Sequence, residues 1–220
     1  MIFSEQKNGE PGTIAVKHLH ALDITGDDGT VYYGADQLWY KNIWCKKAGC
    51  GPTTCAMVLW YLSRTRSSCE TLCRYDASCQ NGFSHLMEEV WKYVTPTVKG
   101  LNSTALFVNG VQRYAQHTEV ALHCRRLDIP ERKTDRPTLE QVADFIGSAI
   151  ADDLPVAFLN LSNGAVENLD KWHWVTIVAT ERSGHTVMVY DQGKKKSIDI
   201  KLWLDTTTKN GGFVAVEPVL

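Results

Sequence analysis

Two residues in this chain have the chemistry to open an amide bond between them, Cys50 and His173. Acyl transfer by a thiol needs a thiolate, a base that moves protons, and donors for the oxyanion. Cys50 lies in Gly49-Cys50-Gly51-Pro52, directly ahead of an apolar run. Pro52 suits a first helical turn, where a missing N–H costs nothing. A thiol at the positive end of a helix is biased towards its thiolate. The flanking glycines are expected to leave room for a substrate backbone beside the sulfur. The plainer alternative, a small residue at a tight helix start, is left open by spacing alone.

Of the seven histidines, only His173 falls inside a strong strand pattern, Trp172-His173-Trp174-Val175-Thr176-Ile177-Val178. Alternation puts it on one face with Val175, Ile177 and Ala179, and both tryptophans on the other. A satisfied core histidine would fit there too. Asp191 ends the next strand pattern, eighteen positions on. A carboxylate there would accept the imidazole N–H, fix the tautomer and favour the imidazolium; it would equally suit a plain strand end. Register decides between these. A two-residue turn at Ser183-Gly184 would put His173 and Asp191 on opposite faces. An odd-length connection or a bulge between Thr180 and Thr186 would put them on the same face.

The elements that must position these groups follow from periodicity and turn chemistry. The first 40 residues are turn-rich and read as an irregular arm with short strands. A helix buried all round is expected from Cys50 through about Arg64. Further helices are expected over 84–93 with Ser84 as N-cap, over 104–116 with an interruption at Gly110, and from the Thr138-to-Gln141 capping box to about Ala151. Strands are expected over 119–124, 155–161, 172–180, 186–191, 197–203 and 213–218, and Lys194 to Lys196 reads as a solvated turn. Helices first and antiparallel strands last mean an α+β fold. The division is an arm over 1–40, a mainly helical lobe over 41–151 and a β lobe over 152–220, within a single domain 1–220.

Composition narrows the partners. Hydrophobic residues make up 44% and charged residues 22% of 220, with a net charge of -2. That is ordinary for a globular chain and offers no basic stripe for nucleic acid or an anionic membrane. No signal-peptide core or membrane span is evident, so a soluble, cytoplasmic protein with mostly reduced thiols is expected. Cys69, Cys73, Cys79 and His85 lack the tight C-x-x-C pairs of common zinc sites, and these cysteines are expected to be small buried or half-buried residues. No cofactor and no metal is expected. Oligomeric state is not legible.

Gly49-Cys-Gly-Pro-Thr-Thr-Cys-Ala-Met57 resembles the nucleophile helix of bacterial papain-like cysteine peptidases, in particular the double-glycine-leader (bacteriocin-processing) group. Trp172 to Val178 resembles its histidine strand, Val189-Tyr-Asp191 its following strand, and Gly211 to Val216 its closing strand. The resemblance implies a papain-like fold, with a helical lobe carrying Cys50 packed on an antiparallel β lobe carrying His173 and Asp191. It implies attack on a peptide or small amide through a thioester, with His173 as general base and acid. An acyltransferase on the same site, or a degenerate peptide-binding homologue, are the alternatives. The family's oxyanion Gln, six positions before the nucleophile, is here Trp44; Asn42 and then Gln37 are the side-chain donors expected instead.

Overall fold

The computed structural model describes residues 12–219; the extreme N-terminal reading lies outside them. The arm holds three short strands, β1 (Thr13–Ala15), β2 (Asp23–Thr25) and β3 (Val31–Tyr33). Helices α1 (Ile43–Ala48), α2 (Cys50–Thr65), α3 (Gln80–Trp91) and α4 (Thr104–Thr118) follow. Then come β4 (Leu122–Ile129), α5 (Leu139–Ala151), β5 (Val156–Asn160), β6 (His173–Glu181), β7 (Thr186–Asp191), β8 (Lys194–Asp199), α6 (Ile200–Thr206) and β9 (Gly211–Pro218). The main sheet runs β4-β9-β5-β6-β7-β8 with every pairing antiparallel, and β1 extends it on β6. Helices and antiparallel strands are therefore mixed in one hydrophobic core, with β4 joining the sheet from the helical half of the sequence. No described helix is long and apolar enough to cross a membrane.

Helix α2 is the central pillar. Every residue from Gly51 to Ser63 is buried, as its unbroken apolar run demands. The same packing explains its flanking glycines differently from the sequence reading. A Cβ on Gly49 would lie 2.4 Å from the Cys45 carbonyl oxygen and 2.5 Å from the Tyr40 ring. A Cβ on Gly51 would lie 2.6 Å from Leu101. Both glycines are filled by the protein itself, not kept open for substrate.

Four expected elements are corrected. Helix α3 starts at Gln80, with the Cys79 sulfur accepting from Gly82 N–H, and Ser84 is internal, its hydroxyl donating to the Gln80 carbonyl. Gly110 does not interrupt α4; a Cβ there would lie 2.9 Å from Val94 Cα, so glycine permits a close crossing. Residues 197–203 are not one strand: Asp199 accepts from Leu202 N–H and caps α6. The basic run 194–196 is not a turn but the start of β8. The Thr138–Gln141 capping box is present as expected.

Buried Asp153, just past α5, fastens α2 to its surroundings. Its carboxylate accepts from Tyr61 Oη at 2.5 Å, from Lys17 N–H at 2.6 Å and from Arg66 Nη1 at 3.0 Å. Burial works against its charge, but these donors outweigh burial and hold the carboxyl below its ordinary value. Replacing it leaves buried donors without an acceptor. Asp153→Ala is expected to cost about 2–4 kcal/mol in chemical denaturation. The wild type should lose this advantage only as pH falls through the depressed carboxyl value.

Candidate active site

Cys50 is the first residue of α2, half-buried where the helix's leading N–H groups lack intrahelical acceptors. His173 opens β6 and Asp191 closes β7, and both are buried. His173 Nε2 and Asp191 Oδ1 are 2.6 Å apart. Cys50, His173 and Asp191 line one small cavity of about 10 Å³, together with Gln37, Trp174 and Gln192.

Neither the odd-length connection nor the bulge expected between Thr180 and Thr186 is present, but a bulge elsewhere has the same effect. The connection between β6 and β7, residues 182–185, is even in length. The compensating bulge lies earlier, within β6: Ile177 faces Val189, but Ala179 faces Met188, so Val178 is the extra residue. Carried towards His173, the shifted register puts Asp191 diagonally across on the same face. The bulge also turns Ala179 away from the face that Ile177 shares with His173. The Val178 carbonyl is taken up by Val16 N–H at 3.0 Å, so the arm closes the gap in the ladder.

The sequence reading missed two charged neighbours. Lys196 on β8 donates to Asp191 Oδ2 at 2.6 Å, with Lys196 facing Val189 and so lying on the Asp191 side of the sheet. Asp170, in the loop before β6, brings a second carboxylate within 4.8 Å of His173 and Asp191, and Gln192 Nε2 lies 3.4 Å from its Oδ2. Asp170, His173 and Asp191 could in principle hold a cation. The Lys196 ammonium already neutralises Asp191, and His173 is engaged by the same carboxylate, so the arrangement suits proton handling better than a metal. Cys69, Cys73 and Cys79 form no such group among the described residues, and all seven cysteines are free.

Electrostatics reinforce the geometry. Burial disfavours the charged imidazole, yet hydrogen bonds to Asp191 and the Cys50 thiol, with their charges, outweigh it and push His173 up to about 10. Burial likewise raises Asp191, but His173 and Lys196 outweigh it and hold the carboxyl below its ordinary value.

The two side chains considered as oxyanion donors sit differently. Asn42 is exposed and spends its Oδ1 capping α1, accepting from Trp44 N–H at 2.8 Å and Cys45 N–H at 3.4 Å. Gln37 lines the cavity; its Nε2 donates to the Lys46 carbonyl at 2.7 Å, and its Oε1 is buried with no hydrogen-bond partner among the described residues. Trp44 does not line this cavity; it lines a separate cleft that also borders Cys50.

The chain matches no family model and no curated protein sequence. Among solved structures it is similar to the Pseudomonas avirulence protein AvrPphB, at 11% identity over 84% of this chain and 96% of that chain, with a TM-score of 0.38. A likeness that remote carries no chemistry across, and the functional reading rests on the site's own geometry.

The buried pair has a definite pH signature. A histidine raised from about 6.5 contributes stability that is complete below 6.5 and vanishes as pH climbs through about 10. A depressed carboxyl contributes above about 3.9 and loses that contribution as pH falls through its folded value. Asp191→Asn is therefore expected to cost about 3–5 kcal/mol near pH 5.5 and clearly less at pH 10 in denaturant titrations. A pH-independent cost would contradict this.

Proposed function

We propose that this chain is a single-domain papain-like cysteine hydrolase that cleaves a peptide or amide bond, with Cys50 as nucleophile, His173 as proton carrier and Asp191 as its orienter. The observation that carries the reading is the convergence of Cys50, at a helix N-terminus, with a buried His173 whose Nε2 is held 2.6 Å from Asp191. That contact leaves Nδ1 as the nitrogen for the thiol. With His173 raised to about 10, the ring is an imidazolium at neutral pH, a charge placed to stabilise the attacking sulfur.

In this mechanism the Cys50 sulfur attacks the carbonyl carbon, and negative charge passes to its oxygen. The Cys50 backbone N–H and a side-chain amide N–H donate to that oxygen, and Gln37, which lines the cavity, is better placed than exposed Asn42. The imidazolium gives its proton to the departing nitrogen as the C–N bond breaks, leaving a thioester. Neutral His173 then takes a proton from water, whose oxygen attacks the thioester. The sulfur leaves as thiolate and the imidazolium is restored. Asp191 holds the ring throughout and stays ionised, helped by Lys196.

Iodoacetamide at pH 6 is expected to alkylate Cys50 on the order of 10- to 100-fold faster than exposed Cys79, with His173→Ala abolishing the difference. Peptide mapping by mass spectrometry reads this directly, and equal labelling would remove the enzyme reading. A fluorogenic amide panel with and without added amine then separates hydrolysis from acyl transfer through the product formed.

A further inference from the structure

A second cleft, of about 230 Å³, also borders Cys50. Part of its lining is apolar, from Trp44, Leu101, Leu161, Trp172 and Trp174; Asn102 and two lysines supply polar groups, and Cys50 borders it too. Two of these indoles are held out to water, Trp44 at 46% and Trp172 at 51% exposure. Large apolar side chains left exposed together around a concave surface call for a covering group.

The cleft is built firmly. Trp174 donates its Nε1–H to the Leu101 carbonyl at 2.6 Å and stacks on Phe107 with centroids 4.5 Å apart. Trp172, directly before the histidine, has φ of +56°, a left-handed conformation that a bulky side chain rarely adopts. Such strain persists where the surroundings impose it, typically at functional sites. Here it lets the chain enter β6 with the indole on the cleft wall and the imidazole in the active site.

The rim supplies a charge preference. Lys47 and Lys99 line the cleft with no Asp or Glu beside them, and neither has an ion-pair partner among the described residues. A glycine in the cleft would leave both exposed indoles in water. A basic neighbour would face two ammonium groups.

We propose that this cleft receives a bulky apolar side chain, aromatic or branched aliphatic, from a peptide with an acidic residue next to it, and so selects the bond presented to Cys50. The inference rests on Cys50 being the nucleophile. Burying one large side chain gives about 10- to 100-fold selectivity over glycine. The two exposed lysines add a few-fold preference that salt weakens.

The test is digestion of a synthetic peptide mixture by the full chain at low salt, with cut sites mapped by mass spectrometry. Cuts should lie within one residue of Phe, Tyr, Trp, Leu or Ile, about 10- to 100-fold over Gly, with Asp or Glu enriched over Lys or Arg nearby. Trp172→Ala should erode the apolar preference. The double change Lys47→Glu with Lys99→Glu should reverse the charge preference. Iodoacetamide, too small to need the cleft, reports the thiol separately in each variant. Selective alkylation of Cys50 combined with indifferent cut sites, no cleavage, or an unreversed charge preference overturns the cleft assignment and leaves the nucleophile standing. Unselective alkylation overturns the nucleophile and this inference with it.

Discussion

A carboxylate with its side chain only 3% exposed must be paired or it will not stay ionised, and Asp191 is paired twice. One oxygen meets the His173 imidazole and the other the Lys196 ammonium, each at 2.6 Å. Much of the β half can be understood as what is required to make that arrangement possible. Strand β6 must bulge at Val178 to bring His173 and Asp191 to one face. Strand β8 must follow β7 closely, through the Gln192-Gly193 turn, to bring Lys196 alongside. The arm must return to β6 so that Val16 satisfies the carbonyl that the bulge frees.

The second ion pair changes the character of the first. A lone Asp191 would have to be neutralised by His173 alone. With Lys196 sharing the carboxylate, Asp191 is held as an anion whether or not the imidazole carries its proton. The arrangement fits a group that orients a base and does not itself take the proton. On the other side of His173, Trp172 is forced into a left-handed conformation and Trp174 is locked by the Leu101 carbonyl. The same three-residue stretch therefore holds His173 and shapes the cleft beside the thiol.

The sequence made much of this legible, for physical reasons. Cys50 stood out because Gly, Pro and an unbroken apolar run make a helix start unmistakable, and the Thr138–Gln141 box did the same for α5. His173 and Asp191 were visible as polar residues at the ends of strongly patterned strands, and the need for an odd-length connection or a bulge followed from counting. The bulge's place was not legible, because Val178 in a run of β-branched residues carries no signal of irregularity. Lys196 was hidden in a basic run next to Gly193, where solvent exposure is the ordinary reading. Cys79 is an unusual N-cap, so Ser84 attracted the assignment. Gly51 and Gly110 signalled openness or a break, but each marks a place where another segment comes too close for a Cβ.

The central claim is that His173 is an imidazolium at neutral pH because Asp191 and Cys50 both act on it. The direct measurement is the titration of His173 ring resonances by NMR in the wild type and in Cys50→Ser. The wild-type ring is expected to stay protonated through neutrality and titrate near 10, with Cys50→Ser shifting the midpoint downwards. A wild-type midpoint near 6.5, unmoved by the loss of the thiol, would contradict the account.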